Sequence, residues 1–245
     1  TVATWAAAHA GELGALPGRV LLPAGRGSAA LRQLRIDGKD DGLHFAMLPE
    51  YDTGNPAMQW KGPTMRKTVN STFISLDGVV NHMERWHFDF VDDESNAVAM
   101  EQLADADALL LGRATYEAYA AVWPGRDDDY AKRINRLPKY VASTTLQEPT
   151  WENTSVLRGD LVEAVRSLKS TGDGTILMHG YGPVARTLVG AGLLDELHLW
   201  VHPVQAGVGG PDDMLFQTGE HARWELDGTH VFASGVVLLS YRAAR

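Results

Sequence analysis

The chain contains no cysteine. That excludes disulfides, thiolate zinc sites, iron–sulfur clusters and a cysteine nucleophile together. Basic residues are in deficit: 22 Lys and Arg against 31 Asp and Glu give a formal net charge of −9 over 245 residues. A protein that grips nucleic acid or an anionic membrane through its overall field needs the opposite balance, whereas a local basic pocket for a phosphate stays open to it. Long apolar runs are missing too. Ala108–Leu111 and Val236–Leu239 fall far short of the roughly 20 residues of a spanning helix. The alanine-rich start is broken by His9 and Glu12 and has no basic leader, a poor signal peptide, so the expected location is cytoplasmic. What remains, 44% hydrophobic and 22% charged residues, is the composition of a folded globular chain.

The charge is unevenly placed. Residues 1–64 are net neutral, so the whole of the −9 belongs to residues 65–245. The first block is rich in turn signals: Leu16-Pro17-Gly18, Pro23-Ala24-Gly25 and Thr53-Gly54-Asn55-Pro56. Within it Trp5–Leu16 and Ala29–Leu34 read as helices and Arg19–Leu22 as a short strand. The block is expected to be an N-terminal extension or loosely packed arm, with a separate domain over 65–245.

That second block alternates strands and helices. Strands are predicted at Thr68–Leu76, Ala108–Leu111, Tyr140–Ala142, Thr154–Leu157, Thr175–Met178 and Glu196–His202. Helices are predicted from Ser95 as N-cap to about Ala104, over Tyr116–Val122 capped by Thr115, over Asp127–Leu137 and Leu161–Leu168, and from Pro183 onward. Trp224–Val231 and Val236–Tyr241 close the chain as a hairpin. The pattern implies an α/β fold: a mixed sheet, parallel in the middle with an antiparallel edge, covered by helices.

Three predicted strand ends carry anion-friendly turns. His179-Gly180-Tyr181-Gly182-Pro183 ends a strand in glycines and opens a helix at once. Glycines let a backbone approach a ligand closely, and a helix N-terminus offers free N–H groups to a phosphate. Gly112-Arg113-Ala114-Thr115 has the same physics plus a fixed positive charge, and Ala142-Ser143-Thr144-Thr145 ends a third strand in hydroxyls. Each turn alone reads equally well as a plain strand-to-helix junction; three at the ends of one sheet point to a ligand. His198 and His202, four apart, suggest a metal pair only on a helix. On a strand they lie ~13 Å apart, and no metal site is expected.

The ordered set Ser75-Leu76-Asp77-Gly78, Gly112-Arg113-Ala114-Thr115-Tyr116, Ala142-Ser143-Thr144, His179-Gly180-Tyr181-Gly182 and Leu197-His198-Leu199-Trp200-Val201-His202-Pro203-Val204 resembles the dihydrofolate reductase-like superfamily over residues 66–243. It is nearest to the C-terminal reductase domain of the bacterial riboflavin-biosynthesis protein RibD. The resemblance implies an eight- or nine-stranded mixed, mainly parallel sheet and an NADPH-dependent oxidoreductase. Gly112, Arg113, Thr115, Gly180, Tyr181 and Gly182 would cradle the cofactor phosphates, with Ser143 and Thr144 at the adenosine 2′-phosphate. Tyr181 departs from the family's glycine-richer turn. The activity implied is that of a 5-amino-6-(5-phosphoribosylamino)uracil reductase of riboflavin biosynthesis. The alternatives are a dihydrofolate or other pteridine reductase, and a non-catalytic dimeric nucleotide-binding module.

On the substrate side the resemblance places Ser75, Asp77 and Gly78 beside the nicotinamide. Trp86 or Phe88 could stack on a flat heterocycle, and Asp92, Asp93 and Glu94 are candidates for the carboxylate that folate reductases carry on their first helix. Arg85, Arg126 and Arg133 are candidates for a substrate phosphate, and no catalytic residue is assigned. The alternating face His198/Trp200/His202 is expected at a homodimer interface, as in relatives.

Overall fold

A computed structural model describes residues 65–172, 174–217 and 221–244, together with the backbone of four strands between residues 19 and 52. The chain divides into two compact units, 1–62 and 63–245.

In the first unit β2 (Ala30–Ile36) pairs antiparallel with β1 (Arg19–Pro23), β3 (Phe45–Met47) and β4 (Tyr51–Asp52). The expected strand at Arg19–Leu22 is present, whereas Ala29–Leu34 is not a helix. Its leucines at 31 and 34 suit a helix turn, but so short a run cannot set its own period, and ladders on both edges decide it. Trp5–Leu16 lies outside the described residues.

The second unit is an eight-stranded sheet. In chain order its strands are β5 (Lys67–Ser75), β6 (Ala106–Gly112), β7 (Lys139–Ala142), β8 (Thr154–Leu157), β9 (Thr175–His179), β10 (Glu196–His202), β11 (Trp224–Val231) and β12 (Val237–Ala243). Their spatial order is β11-β12-β10-β5-β9-β6-β7-β8. The six strands from β10 to β8 are parallel; β12 and β11 add an antiparallel edge. The helices are α1 (Asp93–Asp105), α2 (Arg113–Val122), α3 (Asp129–Arg136), α4 (Leu161–Ser170) and α5 (Pro183–Gly190).

Both faces are covered, which is why β6 reads as an unbroken Ala-Leu-Leu-Leu run. Ala108 and Leu110 join Ile176, Met178 and Leu197 under α4 and α5, through Val165, Ala185 and Leu188. Leu109 and Leu111 join Val69, Val141 and Leu177 under the other helices, through Leu103, Tyr116 and Ile134. On β10, Leu197 and Leu199 enter the first core, and Trp200 enters a third cluster with Phe232, Val236 and Leu238. Trp200 stacks on Phe232 at 5.2 Å, and both Trp200 and His202 are buried within the chain. The chain itself therefore covers Trp200 and His202, while His198 on the same face is only half-buried.

The helix starts differ from expectation in a consistent way. Asp92, not Ser95, caps α1: its carboxylate accepts from Ser95 N at 2.7 Å while Ser95 Oγ accepts from Asp92 N, a reciprocal capping box. Thr115 sits inside α2, whose N-cap is Gly112. Among the described residues no helix is long and apolar enough to cross a membrane.

Candidate functional site

The carboxyl ends of β6, β7 and β9 lie on one edge of the sheet, since the strands are parallel and adjacent. Two helices start there, α2 after β6 and α5 after β9, with N-caps Gly112 and Gly182 that offer no side-chain cap. The other three helices are each capped by an aspartate: Asp92, Asp128 and Asp160 accept from the backbone of Ser95, Ala131 and Glu163. A carboxylate cap occupies the free N–H groups of the first turn and neutralises the positive dipole end. At α2 and α5 neither happens, so both N-termini keep donors and field for an anion.

The two N-termini adjoin. A Cβ on Gly180 would stand 3.3 Å from Thr115 Oγ1, and one on Gly112 would stand 3.5 Å from Val184 of α5. Gly180 has φ +74°, a conformation glycine adopts without penalty. Its carbonyl accepts from Asn70 Nδ2 at 2.8 Å. A trans peptide sets C=O and N–H in opposite directions, so this bond turns the N–H of Tyr181 away from β5. The Tyr181 ring is buried in the core with the Arg186 guanidinium 5.5 Å from its centre. The glycine-rich turn thus offers only backbone at residue 181, and the tyrosine does not crowd it.

Arg113 is exposed and joins the 112–115 and 142–145 turns: it donates to Glu117 at 2.7 Å and to Thr145 Oγ1. Ser143 Oγ accepts from Thr145 N at 3.2 Å and Leu146 N at 3.0 Å, shaping its own turn, while Thr144 is exposed beside it. The structure therefore brings Thr115 against Gly180 and Gly112 against the start of α5, and puts the 143–145 turn within reach of Arg113.

The expected substrate residues are dispersed among structural tasks. Ser75 donates to Asp77 at 2.6 Å, and the Asp77 carboxylate accepts from Ala206 N at 2.8 Å and Gly207 N at 2.9 Å. The Ser75 hydroxyl and these two amides hold its carboxyl down to about 2. Gly78 turns the chain at φ +88°. Trp86 is buried and donates to Asn81 O, Phe88 is exposed, and Asp92 is committed to α1. Arg133 donates to the carbonyls of Leu103, Ala104 and Ala106, closing α1 and the turn into β6, and Arg126 pairs with Asp128. Arg85 closes a single helical turn, Met83–Arg85.

A cavity of about 50 Å³ opens instead between α1 and the ends of β5 and β10. By volume it has room for about three or four waters. Phe73 and Trp200 from the strands, Asn96 from α1, Phe90, and the pair His87 and His202 line it. His87 Nδ1 lies 2.9 Å from His202 Nε2, and His202 Nδ1 lies 2.9 Å from Trp200 O. Phe73 stacks on His87 at 4.0 Å. Burial, with His202 as neighbour, pushes His87 down to about 4, and burial also lowers His202 against the pull of the Trp200 and Ile74 carbonyls. None of the ten lining residues carries a carboxylate, an ammonium or a guanidinium.

These cavity residues were not among the sequence candidates, although the alternation at His198/Trp200/His202 carried a signal: two polar rings on the buried face of a strand. Between cavity and glycine turns β9 stops early. Its last residue, His179, pairs with Ser71, and β5 runs on to Ser75 with no strand partner on that side. Past that pairing β5 runs on for ~13 Å, with Thr72, Ile74 and Ser75 buried.

Residues 66–238 match the model of the RibD C-terminal domain. A Bacillus subtilis (strain 168) protein, YyaP, described as uncharacterized, is 25% identical over 182 residues, 72% of this chain and 94% of its own length. Two solved structures share the fold. The Thermotoga maritima diaminohydroxyphosphoribosylaminopyrimidine deaminase/5-amino-6-(5-phosphoribosylamino)uracil reductase is 15% identical over 74% of this chain and 57% of its own, with a TM-score of 0.52. Enterococcus faecalis dihydrofolate reductase, solved with NADP(H), is 17% identical over 73% of this chain and 97% of its own, with a TM-score of 0.51. The sheet order, the paired glycine turns and the family match agree: the chain belongs to the RibD C-terminal domain family.

Proposed function

We propose that residues 65–245 form an NADPH-dependent reductase. The observation that carries it is the pair of adjoining helix N-termini at Gly112 and Gly182 without a side-chain cap, where the other described α-helices are each capped by an aspartate. Backbone N–H groups of α2 and α5 and the turn at Gly180–Gly182 would hold the pyrophosphate, and Thr115 Oγ1 borders the same space. Arg113, with Ser143 and Thr144, would hold the 2′-phosphate that distinguishes NADPH from NADH. The bound nicotinamide supplies the hydride, and the chain supplies position and exclusion of water. The aromatic cavity at the ends of β5 and β10, on the same edge of the sheet, would take the ring of the substrate.

Within the family the activity supported is reduction of a C=N or C=O in a heterocyclic or ring-opened sugar-amine substrate, as in 5-amino-6-(5-phosphoribosylamino)uracil reductases. The pteridine alternative loses its main support in this chain. Asp92 is spent as a helix cap, and the cavity holds no carboxylate to pair with a pterin.

Titration with NADPH and loss of absorbance at 340 nm against a panel of pyrimidines, pteridines and carbonyls tests this reading. Binding with turnover is expected. Binding without turnover across the panel leaves the non-catalytic module, and absence of NADPH binding defeats every reductase reading. Arg113→Ala is expected to weaken NADPH roughly tenfold or more and NADH less, in keeping with one lost charge-assisted contact. Unchanged affinity for both removes Arg113 from the site.

A further inference from the structure

The cavity between α1 and the ends of β5 and β10 contains an ordered chain of donors and acceptors. It begins at the Trp200 carbonyl, which can only accept, so His202 Nδ1 carries a proton. Burial keeps His202 neutral near pH 7, which leaves its Nε2 as a bare acceptor. The 2.9 Å contact to His87 then requires the proton on His87 Nδ1. His87 is neutral as well, so its remaining nitrogen, Nε2, is a second bare acceptor. Reversing the chain would turn a lone pair of His202 onto the carbonyl oxygen and lose that bond, so the backbone of β10 fixes the tautomer of both rings.

The His87 Nε2 atom has no protein partner among the described residues. Phe73 covers one face of the His87 ring, and the ring lines the cavity. Ser95, also at the rim, is taken up by the capping box of α1. Asn96 adds one uncharged carboxamide; the remaining walls are aromatic and aliphatic, and no lining residue carries a fixed charge. A phosphate or an ammonium entering this space would lose its hydration without a counter-charge. A flat, uncharged ring would lose little and would gain stacking surface from Phe73, Phe90 and Trp200.

We propose that the His87–His202 pair makes this cavity a receptor for the N–H edge of an uncharged planar heterocycle, with His87 Nε2 as the acceptor. The proposal rests on reading the cavity as the substrate side of the site, and it narrows the substrate class. The part that enters carries a ring N–H or amino N–H and no charge, and any phosphate stays outside. His202 is a positioning residue, acting on the ligand through the tautomer it imposes on His87.

The test uses the full chain with ¹⁵N-labelled histidine, uracil as a probe with two ring N–H groups, and 1,3-dimethyluracil as the same ring without them. Long-range ¹H–¹⁵N spectra of the resting protein should show both imidazoles protonated on Nδ1 and bare on Nε2. Uracil should bind and shift His87 Nε2, and the dimethyl compound should bind roughly tenfold more weakly, about one net hydrogen bond. His87→Phe should abolish the preference and His87→Gln, which keeps an acceptor, should restore part of it. A protonated His87 Nε2 in the resting protein, equal binding of the two probes, or binding of neither overturns the proposal, and the spectra decide even where a variant fails to fold. An NADPH titration on the same sample separates the two readings. Intact uracil preference without NADPH binding defeats the reductase and leaves the receptor standing; NADPH binding without the preference does the reverse.

Discussion

Lys139 brings an ammonium group fully into the interior without a carboxylate partner. Its Nζ donates to the carbonyls of Asn135 at 2.8 Å, Leu137 at 2.9 Å and Glu152 at 3.0 Å, and lies 4.3 Å from the centre of the Trp151 ring. Burial draws it down to about 8, so it stays largely protonated at neutral pH. The three carbonyls come from the end of α3, the approach to β7 and the loop before β8, so one side chain ties three segments together. Lys139→Met keeps the volume and removes every donor. Buried carbonyls left without partners cost about 1–3 kcal/mol each where they cannot reach water, and a net loss of about 3 kcal/mol is expected from urea unfolding. A loss under about 1 kcal/mol would mean that the carbonyls find other partners. The sequence gives little hint of this role, because a lysine at the start of a strand ordinarily turns its ammonium to solvent, and only the face it shares with Val141 marks it as inward.

At the scale of elements, the starts of helices separate structure from function. Asp92, Asp128 and Asp160 serve the fold, and Gly112 and Gly182 leave their helices unfinished. Gly182 offers a clean trial because its backbone is extended and nothing lies within 4 Å of an added Cβ. Gly182→Asp should cap α5 and raise the unfolding temperature, a gain of up to about 1 kcal/mol. The same carboxylate would occupy the N–H groups and repel a pyrophosphate, so NADPH affinity should fall at least roughly tenfold. Calorimetry and an NADPH titration check both signs, and greater stability with unchanged NADPH affinity would show that the α5 N-terminus is not used. The strand–helix order and the glycine turns were legible in the sequence because local signals specify them. The caps at Asp92 and Gly112 were read at Ser95 and Thr115, since an Asp or Gly three residues earlier competes for the same role and only geometry decides.

The loop tie at Asp77 belongs to the same scale. Its carboxyl is held down to about 2, against an ordinary value of 3.8. A depressed carboxyl stabilises the fold above the ordinary value and loses that contribution as pH falls through the depressed one. Between about pH 4 and pH 2 the amides of Ala206 and Gly207 should therefore lose protection, ahead of the sheet. Hydrogen exchange followed by mass spectrometry across that range reads it directly. Protection at 206–207 that persists to pH 2 and is lost only with the core would show that the tie does not depend on the carboxylate. Asp77, placed by resemblance beside the nicotinamide, thus ties down the Val204–Gly207 segment that follows β10. What could not be read from sequence was the use of each polar residue in the 75–94 stretch, because hydrogen bonds to distant backbone, such as Asp77 to residue 207, leave no local pattern.

For the whole molecule, the uneven charge and the division into units bear on each other. Residues 65–245 carry the full −9, yet the proposed ligand is a polyanion. Long-range field opposes such a ligand, so affinity must come from short-range devices: backbone N–H groups at two helix starts, and Arg113, which stays within reach despite its pairing with Glu117. All of these devices, the cavity and both large cores lie in the second unit, and the strand ladders that align them run between β5 and β12. The first unit has its own antiparallel ladders among the described strands. We therefore expect residues 63–245, produced alone, to unfold cooperatively and to bind NADPH within about twofold of the full chain, since the proposed cofactor turns and the cores beneath them lie within that unit. Raising salt should weaken NADPH only mildly in both forms, because screening reduces the repulsion of the acidic surface as well as the attraction of Arg113. Failure of the shorter chain to fold, or a tenfold loss of NADPH affinity with the fold intact, would make residues 1–62 part of the reductase rather than an extension of it.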